Sequence, residues 1–496
     1  MNLIKKTIFS IILVNIALLI GRFSGFFREI TVASVFGVTQ NSDISILLLT
    51  LPDLIINLLV GGAMSASLVP YLVINKEHNG KIAYQASLLV FLVFFLISTI
   101  LFIFIDNIIY LLAPGITEGT VNNISIYFSF VIYALPICVI TGVLTAYLNS
   151  IEKFTVPSLG TLIFNLTIII TLIFSDYLGF ANLTIVCLAI YLACIFRYLS
   201  QLASSRLKFF PLSSLSPWLI NSDLIKKYIQ TMASGGALFL LPVVARSFAS
   251  FYGNGAISIF NYSIKLVELP LIITVTCISI VLMPTLTKAY IKSNELFTKY
   301  IELCLLVVIG MSSIVSVVLL LNVNFFVSLI FSAALTVENI NNISYITYIG
   351  LIGLSFQSII LMLMTIFNAT RKNEIPLKIN ILGIIIFSIS LMLLENSSLK
   401  IIMYKLVAAY VIISLGYLIL ITLQFKFKIR KTLWIVISSS IASFIIYECN
   451  QILMQINFRE TIYFGLIKIV LLCLVGFIVL LLLNLKKIKG LLNARV

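Results

Sequence analysis

Charged side chains are scarce in this sequence: they make up 10% of its 496 residues, while 61% of the residues are hydrophobic. Soluble domains carry about 25% charged residues, so this composition excludes an ordinary soluble enzyme or binding domain. His78 is the sole histidine, which excludes histidine-based metal sites and Ser-His-type triads. The seven cysteines include no CxxC motif and lie in or beside apolar stretches, so they predict neither disulfides nor metal ligands. A glycine-rich phosphate-binding loop is also missing, and we expect no metal, no cofactor and no enzymatic activity.

Long apolar stretches dominate the chain instead. Fourteen of them have roughly the 20 residues that cross the ~30 Å hydrocarbon core of a bilayer. The predicted spans lie near residues 7–27, 44–74, 82–105, 125–149, 156–175, 181–204, 228–251, 256–287, 300–322, 345–369, 376–394, 401–424, 432–453 and 462–485. We therefore predict an all-α polytopic membrane protein with about 14 transmembrane helices.

The net charge of +15 reflects orientation in the membrane. Basic residues fall almost entirely on alternate connections, from Lys5 near the start to Lys487 near the end. The opposite connections hold only Lys400 and Arg459. Because positively charged loops stay on the cytoplasmic side, we predict that both termini are cytoplasmic and that no nucleic acid is bound.

An internal duplication predicts two similar halves. Segments 149–157 and 368–376 both begin with Asn, have Lys four residues later and end with Pro, at a period of 219 residues. A repeat of six spans returns the chain to its starting side, so the two copies share one orientation. Such parallel repeats are typical of transporters whose two lobes rock around a site at their interface.

The same pattern predicts the domain boundaries. We expect an N-lobe over residues 1–205 and a C-lobe over 228–425. Residues 206–227 form the longest polar and basic interval, which predicts an amphipathic cytoplasmic linker. Residues 426–496 fall outside the duplication and predict an appended helix pair with a basic tail.

Basic residues inside the spans are the main functional candidates, because a charge at the bilayer centre costs about 2.5–3.5 kcal/mol or more. Arg22 and Arg246 lie in the outer halves of spans one and seven, and we expect Arg22 to face a cavity. Arg28 either faces the same cavity or reaches the outer interface. Lys265 lies near the midplane of span eight. Four further basic residues are expected to reach the interface or to pack structurally: Arg197, Lys378, Lys405 and Lys468.

Three carboxylates accompany these cations. Glu268 is three residues after Lys265, so the two can form either a structural ion pair or a cavity cation held by its partner. Asp53 either balances a neighbouring arginine or lies in interfacial water. Asp43 stands just before span two, where it either caps the helix or supports gating.

Polar and helix-breaking residues predict hinges. Gly25 separates the two arginines of span one, and Pro52, Asn57, Gly61 and Gly62 make span two polar and breakable. Bending at these positions would suit a protein that alternates between states.

The predicted cavity is cationic, which suits an anionic substrate, and guanidinium groups fit phosphate oxygens well. A cation exporter would need acidic and aromatic groups in the same place, so the charge balance disfavours one.

Two blocks of sequence carry a family resemblance. The first contains Gly21-Arg-Phe-Ser-Gly-Phe-Phe-Arg28-Glu29, Val35-Phe36-Gly37, Asp43, Leu51-Pro52-Asp53-Leu54, Gly62-Ala63-Met64-Ser65 and Leu68-Val69-Pro70. The second contains Tyr262-Ser-Ile-Lys265-Leu-Val-Glu268-Leu-Pro270 and Leu282-Met-Pro284-Thr-Leu-Thr-Lys288. Together with the fourteen-span layout, this pattern resembles the MurJ/MviN family of lipid II flippases.

The resemblance implies a bacterial inner-membrane transporter of the multidrug/oligosaccharidyl-lipid/polysaccharide exporter superfamily. Its expected partners are lipid II, an anionic undecaprenyl-pyrophosphate-linked peptidoglycan precursor, and the membrane lipids, and we expect a monomer. The resemblance places Arg22, Arg28 and Lys265 in the substrate-binding cavity, and the internal repeat, which puts Arg246 opposite Arg22, adds Arg246 to this set. It matches Asp43 and Glu268 to acidic residues of the family. We expect supporting or gating roles for Asp43, Asp53, Asn57, Ser258 and Glu268.

The second helix departs from the family pattern. Ile56 and Asn57 stand where the family usually has two arginines, and Gly61 replaces an acidic residue. Arg246 is the candidate that compensates for this loss. Two alternatives to lipid II transport stay open: another exporter of the superfamily, for polysaccharide-lipid intermediates or drugs, and a non-transporting scaffold for cell-wall synthesis enzymes.

Overall fold

The structure is a computed structural model that describes residues 3–57, 63–207, 217–370, 372, 374–393, 398–428, 430–455 and 462–492. Throughout these ranges the regular structure is helical, with no strand. Close packing divides the chain into two compact units, Met1–Asn261 and Tyr262–Val496. The predicted lobe boundaries are not tested by this division and remain a prediction.

Among the described residues, eleven α-helices begin in the first unit. They are α1 Leu3–Phe36, α2 Gln40–Ile55, α3 Ala63–Ile74, α4 Asn79–Ile103, α5 Ile105–Leu112, α6 Glu118–Ser150, α7 Thr155–Tyr177, α8 Leu183–Ser205, α9 Ser222–Gly236, α10 Leu240–Ala249 and α11 Ala256–Leu271. Within this unit α7 packs against both α1 and α8, and α6 packs against α4 and α8.

The second unit begins at Tyr262, so it includes the last part of α11. Its helices are α12 Cys277–Lys292, α13 Asn294–Leu321, α14 Val323–Phe331, α15 Val337–Ile352, α16 Leu354–Ala369, α17 Glu374–Met392, α18 Leu399–Phe425, α19 Arg430–Gln455 and α20 Ile462–Leu492. Here α13 packs against α16, α19 and α20.

Nine helices in the described ranges are long and apolar enough to cross a membrane. They correspond to predicted spans three to six, nine and eleven to fourteen. The tenth predicted span is divided into α15 and α16, which meet at a 47° bend beside Gly353. The all-helical multi-pass fold is therefore confirmed, whereas the count of fourteen spans stays a prediction.

The second, seventh and eighth predicted spans are each divided into shorter helices. Helix α2 ends three residues after Pro52, and α9 ends at Gly236, the second residue of a Gly-Gly pair. Helix α11 ends one residue after Pro270 and is followed by a π-helical turn over Ile272–Thr276. Proline cannot donate a backbone hydrogen bond, so each proline favours an interruption of this kind.

Glycines bring α1 close to α7. A Cβ atom on Gly21 would lie 3.3 Å from the Thr161 Cβ, and one on Gly25 would lie 3.4 Å from the Asn165 Nδ2. Small residues allow helices in membranes to approach closely. Helix α1 is continuous through Gly25, so the hinge predicted at this glycine stays a prediction.

Candidate functional site

Arg28 is the centre of a polar cluster inside the first unit. Its Nη1 and Nη2 donate to Asp53 Oδ1 and Oδ2 at 3.0 and 2.7 Å, which makes a bidentate ion pair. Nη2 also donates to Glu29 Oε1 at 2.7 Å, and Nη1 donates to Asn165 Oδ1 at 3.2 Å. Of the two interpretations of Asp53, the structure therefore shows the one in which it balances an arginine.

Local structure explains why these side chains meet. Asp53 lies in the last turn of α2, because the helix ends soon after Pro52. Asn165 is fixed by donating its Nδ2 to the Ser24 Oγ at 3.0 Å and to the Gly21 carbonyl at 3.3 Å. These bonds depend on the close α1–α7 contact, and they leave the Asn165 carbonyl oriented towards Arg28.

A chain of hydrogen bonds links this cluster to Arg246. Asn261 donates its Nδ2 to Glu29 Oε2 at 2.8 Å and accepts from Arg246 Nη1 at 2.7 Å. The Nη2 of Arg246 donates to the Thr50 hydroxyl at 2.6 Å. Arg28 and Arg246 thus share one network, in which Glu29 and Asp53 match the two guanidinium charges.

Asn261 was missed by sequence reasoning, although a signal was present. Asn261, Lys265 and Glu268 follow the i, i+4, i+7 spacing of one helical face. A polar residue that extends a charged stripe in an apolar helix is a candidate for a buried hydrogen bond.

Burial differs sharply across the Arg28–Asp53 pair. The Arg28 side chain is 3% exposed, whereas that of Asp53 is 33% exposed. Glu29, which also binds Arg28, is 5% exposed. The guanidinium is therefore approachable from the side that Asp53 occupies.

The second unit contains the predicted pair of Lys265 and Glu268. The Lys265 Nζ lies 2.8 Å from Glu268 Oε2, and the two side chains are 28% and 33% exposed. The ion pair is therefore present, as the spacing predicted.

Asp43 joins the start of α2 to the start of α11. Its Oδ2 accepts from the Gly255 backbone N–H at 2.6 Å, and its Oδ1 accepts from the Ser258 backbone N–H at 2.7 Å and from the Ser258 hydroxyl. The Ser42 and Ser258 hydroxyls are also 2.7 Å apart. Thr39 caps α2 instead, so Asp43 caps the neighbouring helix and not its own.

The remaining predicted positions differ in exposure. Arg22 and Asn57 have exposed side chains, while Pro52 is buried. Gly61 and Gly62 lie outside the described residues. Within the described ranges, no group of three His, Cys, Asp or Glu side chains is arranged to hold a metal ion.

The profile of the family described as "Lipid II flippase MurJ" matches residues 32–487, which is most of the chain. This chain belongs to that family. The match covers α2 and α11 and extends through almost all of the second unit, so the family assignment rests on both units.

Curated MurJ relatives are moderately similar. The probable lipid II flippase MurJ of Buchnera aphidicola subsp. Schizaphis graminum (strain Sg) is 26% identical over 316 residues, covering 60% of this chain and 58% of the relative. That of Rickettsia prowazekii (strain Madrid E) is 29% identical over 294 residues, covering 56% of each chain. The matched region thus spans less than two thirds of either relative.

Solved structures share the fold. A structure described as lipid II flippase MurJ in an inward closed conformation superimposes with a TM-score of 0.80 at 21% identity, over 97% of this chain and all of that one. An inward-facing multidrug resistance MATE family transporter of the MOP superfamily gives 0.67 at 14% identity, over 81% of this chain and 94% of that one. The MurJ fold is therefore confirmed, and a MATE transporter has a similar fold.

Proposed function

We propose that this chain moves lipid II from the cytoplasmic to the periplasmic leaflet of the bacterial inner membrane by alternating access. Membership of the MurJ family supports this proposal. In the chain itself, the bidentate pair of Arg28 with a partly exposed Asp53 is the observation that carries it. Both termini are proposed to be cytoplasmic, and the protein is proposed to act as a monomer.

The pair indicates how a pyrophosphate would be bound. A guanidinium that grips a carboxylate with two parallel bonds is oriented to grip a phosphate in the same way. The substrate anion would replace Asp53 on its exposed side, while Glu29 and Asn165 keep the arginine in place. Exchange of one anion for another avoids leaving a buried guanidinium unpaired, which would cost several kcal/mol.

Arg246 is proposed to supply the second cation of this site. It takes the place of the two arginines that the second helix lacks, because Asn261 and Glu29 connect it to Arg28. Lys265 in the second unit is the further candidate for substrate contact, with Glu268 as its partner.

Asp43 is proposed to hold the outer end closed. Its carboxylate joins α2 to the beginning of α11 through Gly255 and Ser258. Release of these bonds would free the two helices to separate, as alternating access requires.

Depletion and reconstitution test the proposal together. Variants Arg28→Ala and Arg246→Ala should fail to support growth of a strain depleted of its own flippase, and in liposomes they should not translocate lipid II. Lys299→Ala is the matched control, because Lys299 pairs only with the exposed Glu295 among the contacts described for it. Wild-type protein that neither binds nor moves lipid II in liposomes would overturn the proposal.

The scaffold alternative predicts a different result. A non-transporting scaffold for cell-wall enzymes would still support growth after Arg28 and Arg246 are replaced, provided that the variants reach normal levels in the membrane. The missing second-helix arginines, at Ile56 and Asn57, are the observation that favours this alternative.

A further inference from the structure

The connection that leads into α9 is bound by a buried glutamine. Gln85 of α4 is fully buried, and both ends of its amide bond to the backbone of this connection. Its Nε2 donates to the Pro217 carbonyl at 3.1 Å, and its Oε1 accepts from the Leu219 N–H at 2.9 Å. The Tyr71 hydroxyl of α3 donates to the Leu219 carbonyl. Three hydrogen bonds therefore hold an irregular segment against α3 and α4.

Apolar contacts extend this attachment into α9. Leu219, Ile220 and Leu224 pack into a hydrophobic cluster that also contains Leu68 of α3 and residues of α4 and α6. Helix α9 itself packs along α3. We call residues 217–224 the latch, because polar and apolar contacts both fasten this segment to the same two helices.

The latch lies at the opposite end of α6 from the contact between α2 and α11. Near the start of α6, the Thr120 hydroxyl accepts a hydrogen bond from Gln40 at the start of α2. Near the end of α6, Val143 and Ala146 belong to the cluster that holds the latch. A rise of 1.5 Å per residue separates the two levels by roughly 40 Å. The first unit is therefore fastened at two ends that lie about a membrane thickness apart.

Two features make the latch separable from α3 and α4. Pro217 is exposed and the connection is irregular, so water can take over the hydrogen bonds of its backbone groups when it leaves. The Tyr228 hydroxyl, in the part of α9 that packs against the same cluster, is buried with no hydrogen-bond partner among the described residues. A buried hydroxyl without a partner destabilises the docked arrangement, and release would return it to water.

We propose that the latch undocks from Gln85 and Tyr71 in each transport cycle and so opens this end of the first unit to the lipid II headgroup. The inference rests on the proposed function, because alternating access needs one end to open while the other stays closed. The contact between α2 and α11 closes one end and the latch closes the other. Gln85 and Tyr71 are positioning residues, since they act through the connection and not on the substrate. Lipid II opens the latch only if it binds the undocked state more tightly.

Hydrogen exchange at the Leu219 amide measures undocking, because Gln85 Oε1 is the acceptor described for this N–H. In the purified full-length protein in lipid nanodiscs, Gln85→Ala should speed this exchange by about tenfold and Tyr71→Phe by about threefold, as the loss of two hydrogen bonds and of one requires. Lipid II should speed it in the wild type. Ser87→Ala is the matched control, because the bond described for this hydroxyl is to the Ala83 carbonyl within α4.

Transport assays separate undocking from a general loss of structure. Gln85→Ala should bind lipid II as the wild type does but translocate it about fivefold more slowly, because this end no longer stays closed. A misfolded variant would lose binding as well, and Tyr71→Phe, which removes a single hydroxyl, then carries the test.

Two results would exclude the latch while leaving the proposed function intact. One is Leu219 exchange that lipid II does not change in a transporting wild type, and the other is equal exchange in the wild type, Gln85→Ala and Tyr71→Phe. A wild type that neither binds nor moves lipid II would refute the proposed function, and the role of the latch with it. The transport assay of the wild type shows which of the two has failed.

Discussion

Arg28 shows how a single charge is accommodated within a helical membrane protein. Its two terminal nitrogens bond to Asp53, Glu29 and Asn165, while its Nε is buried with no hydrogen-bond partner among the residues that the structure describes. Two carboxylates and an amide therefore hold the guanidinium in one orientation. A binding group that is fixed in this way loses little further entropy when an anion arrives.

The Asn261 side chain connects Arg246 to Glu29, so replacing it by alanine should break the hydrogen-bonded link between Arg246 and Arg28. Asn261→Ala leaves Glu29 without one donor and Arg246 without one acceptor, which should destabilise the protein by about 1–3 kcal/mol. The measurement is the free energy of unfolding, with Asn254→Ala in the exposed loop before α11 as the control. In a double-mutant cycle with Arg246→Ala, we expect a coupling of about 0.5–3 kcal/mol, and strict additivity would contradict the network.

Among the helices, the connection between α5 and α6 is held against the end of α10. The Gly115 N–H donates to the Ser250 hydroxyl at 2.8 Å, and a Cβ on Gly115 would lie 2.4 Å from the Phe251 backbone nitrogen. Only glycine allows the two backbones to approach this closely. This contact fixes the end of α10. Arg246 lies in the last turn of that helix, three residues before its end.

The variant Gly115→Ala should therefore disturb the position of α10. The added methyl group must push two backbone segments apart, and we expect a loss of about 1–3 kcal/mol of stability together with weaker lipid II transport. Gly119→Ala is the matched control, because its Cβ would meet nothing within 4 Å. Thermal unfolding of both variants checks this prediction, and equal Tm values would show that the contact is unimportant.

For the molecule as a whole, the proposed alternating access requires the contact between α2 and α11 to open. The Ser42 and Ser258 hydroxyls are 2.7 Å apart. A covalent cross-link between these two positions would prevent that opening. Both residues belong to the first unit, so the test needs no assumption about the arrangement of the two units.

The double variant Ser42→Cys/Ser258→Cys should form a disulfide on oxidation, because the side chains already touch. Lipid II transport in liposomes should then stop, and a reductant should restore it, since the covalent bond blocks separation of α2 from α11. Each single cysteine variant should transport with or without oxidant. Continued transport by the fully cross-linked protein would mean that this closure need not open.

The sequence by itself determined the membrane fold, most of the helix positions and the residues able to carry charge inside the membrane. Bilayer thickness and the cost of burying charge act on local sequence, so spans and intramembrane cations can be recognised without a structure. Pro52 likewise indicated where α2 is interrupted. The same local sequence also carries the family motifs.

Only the tertiary structure decided which partner each of these groups has. Asp43 caps α11 and not α2, because it lies beside Gly255 and Ser258, more than 200 residues away in sequence. Asn261 links Arg246 to Glu29 for a similar reason. These partners are set by how the helices pack, and neither spacing nor composition along the chain contains that information.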